Sequence, residues 1–210
     1  MPARGRTPAK SAPRARPPEL LRKLIAVAME LERRTMQLYC RYETRFQHPA
    51  EVRRFWFEMA EHESRHFGGL AMVASLLECA PERTLPAAPA LTRAHVEHLR
   101  ALLDKAEAEA QTDISLTRAF ETALEIECSE IEDLVLDLLT VLKGERERER
   151  AVQLAMHDLG DLSYMIERFG NDRALLARVD RLIEQQVTRL RIRPVRGAKR
   201  TPKLRAVRGR

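Results

Sequence analysis

Glu63-Ser64-Arg65-His66 sets a carboxylate and an imidazole three residues apart, which on an α-helix puts both on one face and within reach of a single metal ion. Alone, the pattern is common by chance, and its position gives it weight. In alternating three- and four-residue steps the surrounding stretch reads Val52, Trp56, Met59, Glu63, His66, Leu70, Val73, Leu77, the spacing of a helix that faces a bundle core. Three further stretches carry such a seam. One runs Leu21, Ile25, Ala28, Glu32, Thr35, Tyr39, Tyr42, Phe46; another runs Leu116, Phe120, Ala123, Glu127, then Ile131 or its neighbour Glu130, Leu134, Leu138, Val141. The last runs Ala151, Leu154, Asp158, Asp161, Met165. Each seam is apolar except near its middle, where it carries an acid.

Helix midpoints lie at similar heights in a bundle, so these acids are expected to converge. A single buried acid can set register or pair with an arginine. Several converging carboxylates repel one another and must either hold protons at raised pKa or share cations. The seams offer no Lys or Arg in that layer, which makes metal the simplest compensation; the rival is a solvated or degenerate polar layer. A Glu from each of two helices with Glu-x-x-His from the other two is a recurrent dimetal ligand set in helical bundles. The spacing also repeats. Glu32 and Glu63 are 31 residues apart, as are Glu127 and Asp158, and a shift of 95 carries Ala28-Met29-Glu30-Leu31-Glu32 onto Ala123-Leu124-Glu125-Ile126-Glu127. The chain therefore reads as a duplicated helical hairpin.

The elements that must position these residues are helices throughout. Prolines cluster at residues 1–18 and 81–89, Pro49 stands alone, and none occurs from 90 to 193; proline breaks helix interiors, so these positions mark boundaries. The segments between are rich in Ala, Leu, Glu and Arg, which favour helix. The predicted helices span about 19–47, 50–79, 92–109, 115–142, 145–169 and 172–190, with Gly144 and Gly170 at helix ends. Gly68 and Gly69 follow His66 and suggest close helix approach, a kink or simple packing. The helix from 172 carries an apolar stripe beyond the four-helix requirement and is expected to pack on the bundle or on another subunit.

The formal charge of +6 hides a division of the chain. Residues 1–18 hold five basic groups and residues 191–210 hold nine, with no acid in either, leaving 23 basic residues against 31 acids in residues 19–190, a net −8. The expected organisation is a basic tail without fixed structure at 1–18, a helical domain at 19–190 and a second such tail at 191–210. Cys40, Cys79 and Cys128 are odd in number and far apart, so neither a disulfide framework nor a thiolate metal knuckle is signalled. Cys128 is expected as a buried, inert thiol. No apolar run is long enough for a signal peptide or membrane span, so a cytoplasmic protein is expected.

Taken together, Ala28-Met29-Glu30-Leu31-Glu32 followed by Tyr39, and Ala60-Glu61-His62-Glu63-Ser64-Arg65-His66, resemble the first two helices of the rubrerythrin branch of the ferritin-like family. The resemblance covers about residues 19–169 and is most specific in the second helix. It implies an all-α, ferritin-like four-helix bundle of two duplicated hairpins, with a linking helix and an extra C-terminal helix. It also implies a metal site in which Glu63 and His66, rather than Glu61 or His62, are ligands with Glu32 and Glu127, and Glu130 matches the family's additional carboxylate. The fourth helix departs, since Asp158-Leu159-Gly160-Asp161 stands where Glu-x-x-His is expected. Asp158 and Asp161 become the nearest equivalents, in a harder and more anionic site. No four-cysteine rubredoxin-like module is present in the sequence, so turnover would need an external electron donor.

The function implied is that of a dimetal protein, with two metal ions, iron before manganese, acting on peroxide, dioxygen or ferrous iron as an oxidoreductase or ferroxidase. Glu32, Glu63, His66 and Glu127 would carry the chemistry, with Tyr39 hydrogen-bonding a ligand or relaying an electron, or else simply packed in the core. The second ion would draw on Asp158 with Asp161 or Glu130. The alternative is a degenerate bundle serving as a binding or scaffold protein, its basic tails contacting nucleic acid, another polyanion or an assembly partner. A homo-oligomer is expected in either case.

Overall fold

The computed structural model describes residues 17–79, 93–129 and 145–192. It is an all-α helical bundle with no strand among the described residues. Among the described residues there are six α-helices: α1 (Pro17–Arg45), α2 (Ala50–Cys79), α3 (Arg93–Ala110), α4 (Leu116–Glu127), α5 (Glu145–Met165) and α6 (Arg173–Ile192). A π-helical turn, Ile166–Gly170, extends α5. Residues 1–16 and 193–210 of the two tails, the proline cluster at 81–89, Gly144 and the seam residues from Glu130 to Val141 lie outside the described residues, whereas 17–18 and 191–192, expected in the tails, are helical ends of α1 and α6.

A short loop makes α1 and α2 an antiparallel hairpin, the most extensive pairing among the described helices. Their seams are buried as the periodicity predicts: Ile25, Ala28, Glu32, Thr35, Tyr39 and Tyr42 on α1, and Val52, Trp56, Met59, Glu63, Leu70, Val73 and Leu77 on α2. Trp56, fully buried, organises the loop end, with its ring centroid 4.8 Å from those of Tyr42 and Phe55 and stacked 5.4 Å from Phe120 of α4. At the far end, Arg22 Nη2 donates to the Leu77 carbonyl at 3.2 Å. Pro49 precedes α2, and its carbonyl accepts from Val52 N at 3.0 Å, so the proline sits where no helical donor is lost.

The linking helix α3 lies along α1, burying Leu99, Leu103 and Ala106 at i, i+4 and i+7. Arg34 reaches from α1 to Glu107 (2.9 Å) and Asp104 (2.6 Å). These partly exposed pairs fix the angle of the helix more than they stabilise the fold.

Ser115 caps α4 by accepting from Arg118 N at 3.2 Å. The predicted helix 115–142 stops at Glu127, with Cys128 as its C-cap. Glu121, Glu125 and Glu127 crowd acids near that end, where the helix dipole disfavours them. Cys128 is exposed rather than buried, as are Cys40 and Cys79.

At the other end of the chain, α5 passes into the π turn and stops at Asn171, whose φ of 47° is left-handed. Gly170 is buried beneath this corner; its carbonyl accepts from Thr117 Oγ1 at 2.7 Å, and a Cβ there would come within 3.3 Å of Ile166 and 3.6 Å of Phe120. Asp172 Oδ1 then caps α6 through Ala174 N and Leu175 N. Leu175 and Val179 are buried, so the extra helix packs on the bundle.

The fourth seam is phased differently from the prediction. The buried residues of α5 are Leu159, Leu162 and Met165, followed by Ile166 of the π turn, whereas Leu154 is 37% exposed and Asp158 and Asp161 are partly exposed. Two apolar spacings competed along one helix. The one that buries Leu159 and Leu162 wins, because each buried leucine gains roughly 1.5–3 kcal/mol while a buried aspartate without a cation costs several.

Candidate metal centre

Three donor residues meet between α1, α2 and α3. Glu32 comes from the middle of α1, and Glu63 and His66 come from consecutive turns of α2, because seam positions at the centres of paired helices face each other. Their ligand atoms lie within 4.8 Å of one another. His66 Nδ1 is 3.6 Å from Glu32 Oε2 and 3.6 Å from Glu63 Oε2. An ion with bonds of about 2.1 Å separates its neighbouring ligand atoms by about 3.0–4.2 Å, so these spacings suit a shared cation.

The chemistry of this cluster is severe without a cation. Glu32 is 1% and Glu63 2% exposed, and neither has an ion pair with Lys or Arg among the described residues. Burial, then the charge of Glu32, pushes the Glu63 carboxyl well above the usual carboxylate range, while His66 opposes the shift. Glu32 Oε1 is shut off from solvent and finds no hydrogen-bond partner, a cost of about 1–3 kcal/mol for an ordinary buried acceptor and more for a charged one. Beside the two carboxylates lies a cavity of ≈10 Å³ walled by Leu31, Thr35, Leu99 and Ile126, about the room for one small sphere. Two carboxylates, one imidazole and an orphaned oxygen in an apolar enclosure fit a metal cation.

Tyr39 and Glu127 adjoin this group. The Tyr39 hydroxyl donates to Glu127 Oε1 at 3.0 Å, and burial together with the charges of Glu127 and Glu63 pushes the phenol well above its ordinary pKa. It therefore stays protonated and holds the Glu127 carboxylate in orientation. Glu127 lies at the C-terminal end of α4, partly buried. Glu130 is outside the described residues.

Asp158 and Asp161 occupy a different setting. They line a groove of ≈820 Å³ between α2 and α5, with Glu58, Glu61, His62 and His157. His62 Nδ1 abuts Asp158 Oδ2, and His157 Nδ1 is 3.9 Å from Asp158 Oδ1 and 3.2 Å from Asp161 Oδ2. Burial raises the Asp161 carboxyl, with His157 opposing. Among the described residues, only Glu32, Glu63 and His66 bring three donor atoms within 4.8 Å; neither the groove aspartates nor Glu127 joins that group.

Sequence reasoning missed two contributors. The wall formed by Leu99 and Leu103 was legible as an apolar stripe on α3, but nothing in it indicated that the linking helix would close the site. The facing of His62 to Asp158 had no sequence signal, since it depends on the rotation of α5. Gly68, by contrast, is exposed and a Cβ there would meet nothing within 4 Å, so it makes no close approach, and α2 runs unbroken from Ala50 to Cys79.

No described helix is long and apolar enough to cross a membrane. Comparison with protein families, with curated proteins and with solved structures finds no match for this chain.

Proposed function

We propose that this chain binds iron or manganese in its helical core and acts, in the cytoplasm and with an external electron donor, as a rubrerythrin-like oxidoreductase or ferroxidase on peroxide, dioxygen or ferrous iron. The observation that carries the reading is the convergence of two fully buried carboxylates and an imidazole, with neither acid paired to Lys or Arg among the described residues. Glu32, Glu63 and His66 are the ligands, and Glu127 is the adjoining carboxylate steered by Tyr39. A bound metal of this kind supplies Lewis acidity and electrons for reaction at an O–O bond.

The protein's own residues prepare the site. Glu63 holds a proton between the two carboxylates and must release it when a cation enters. The Tyr39 phenol, kept neutral by burial, fixes one oxygen of Glu127 beside the centre. Leu31, Leu99 and Ile126 exclude bulk water, which strengthens every charge interaction inside. The groove position of Asp158 and Asp161 favours one ion in the core over two, and also supports the degenerate-scaffold alternative more than the sequence did.

Anaerobic titration with ferrous iron, read by metal analysis after desalting, separates these readings. The expected result is one tightly held ion per chain, lost in Glu63→Ala. Two ions would restore the dimetal centre, and none would leave only the scaffold.

A further inference from the structure

The ≈820 Å³ groove between α2 and α5 is not used by the proposed core chemistry. Its charges are unbalanced. Arg54 and Arg65 on its rim are each taken by a neighbour on α2, Glu58 at 2.7 Å and Glu61 at 2.7 Å. Glu51 pairs with Arg168 at 2.9 Å. Among the described residues Asp158 and Asp161 pair within ion-pair distance only with the imidazoles of His62 and His157, and neither has Lys or Arg that close, although the charge of Asp161 is felt by Arg54. Phe55, Leu154 and Met165 give the groove apolar walls.

A single metal ion is a poor occupant, because these acids do not bring three donor atoms within 4.8 Å as the core group does. Carboxylates spread along a half-apolar groove instead suit a peptide with cations spaced along it. The chain contains such a segment. Residues 193–210 read Arg193, Arg196, Lys199, Arg200, Lys203, Arg205, Arg208 and Arg210 with no acid, interspersed with Val195, Leu204 and Val207.

The segment also starts in the right place. α6 folds back along α5, and Ser163 Oγ donates to Asp180 Oδ1 at 3.1 Å. Ile192 lies twelve residues beyond Asp180, about 18 Å along the helix. The same distance back along α5 from Ser163 reaches residue 151, next to Gln153 and Leu154 at one end of the groove. From there 18 residues can span up to about 60 Å, enough to pass round α5 and run the length of the groove.

We infer that the basic C-terminal segment 193–210 docks in the α2–α5 groove of its own chain, its guanidinium and ammonium groups against Asp158 and Asp161, alongside the arginine-paired Glu58 and Glu61, and its aliphatic residues on the apolar walls. The site is a peptide-binding groove selective for arginine- and lysine-rich sequence, and the molecule carries its own ligand.

A water-soluble carbodiimide, which joins lysine amines to carboxylates only in direct contact, tests this on the full chain. An equal mixture of ¹⁴N- and ¹⁵N-labelled protein separates links within a chain from links between chains. The expected products join Lys199 or Lys203 to Glu58, Glu61, Asp158 or Asp161 of the same chain. Their yield should fall several-fold between about 50 mM and 500 mM salt, and links to Glu58 and Glu61 should fall several-fold in Asp158→Asn/Asp161→Asn. Links spread over acids outside the groove would overturn the inference, as would links only between chains. So would links that appear only after treatment with a chelator, since those would assign the groove to a metal ion. Circular dichroism of the double variant, expected to match the parent, guards against loss of fold.

Discussion

Glu63 is the residue on which the core chemistry turns, because burial beside Glu32 raises its carboxyl well above the range of an exposed glutamate. The folded chain therefore keeps this proton at pH values where the unfolded chain has released it. The resulting stability is fully present below the unfolded carboxyl pKa of about 4.3 and is lost as pH rises through the folded value. In metal-free protein the thermal midpoint should fall between about pH 5 and 8 more steeply than in Glu63→Gln, whose amide cannot ionise. Parallel profiles would show that the buried pair does not carry the pH dependence. Saturating metal should flatten the parent profile, since the cation binds the deprotonated pair of the folded state only. Tyr39 acts one step away. Its hydroxyl bond to Glu127 ties α1 to α4 at the height of the site, so the phenol is structural and electrostatic at once.

Among the elements, α1 and α2 were readable almost residue by residue, because one apolar spacing dominates each and its two central acids, Glu32 and Glu63, had no competing position. α5 was not. Leu154-Asp158-Asp161-Met165 and Leu159-Leu162-Ile166 are both plausible stripes, and choosing between them needs the neighbours against which α5 packs. The glycines of these helices make a sharp test of local energetics. Gly68 of α2 and Gly160 of α5 are exposed, and a Cβ at either would meet nothing within 4 Å. Gly68→Ala and Gly160→Ala should each stabilise the protein by about 0.5–1 kcal/mol in urea unfolding, through reduced freedom of the unfolded chain. Gly170 differs, since its Cβ would press on the Ile166 and Phe120 side chains; Gly170→Ala should fall short of that gain. The π turn that places Gly170 there is likewise a product of packing, anchored by Thr117 Oγ1 from α4.

On the scale of the whole molecule, one aromatic nucleus joins the hairpin to α4 at the loop end. Trp56 packs against Tyr39, Tyr42, Phe46, Phe55 and Phe120, so Trp56→Ala should cost about 3–5 kcal/mol in urea unfolding. A cost under about 1 kcal/mol would mean that the nucleus is not the core of the fold. The charge division extends across the same scale: an acidic body of net −8 and two basic ends are complementary parts of one chain. The sequence alone determined that the fold is helical, where the helices of the first hairpin begin and end, and that Glu32, Glu63 and His66 share a core layer. Those follow from residue propensity and from a periodicity written into each segment separately. Only the tertiary structure decided the rotation of α5, the stop of α4 at Glu127, the closing of the site by α3, and the gathering of Asp158, Asp161, His62 and His157 into a groove. Each of these depends on which apolar surfaces bury against one another, a competition between distant segments that local spacing does not encode.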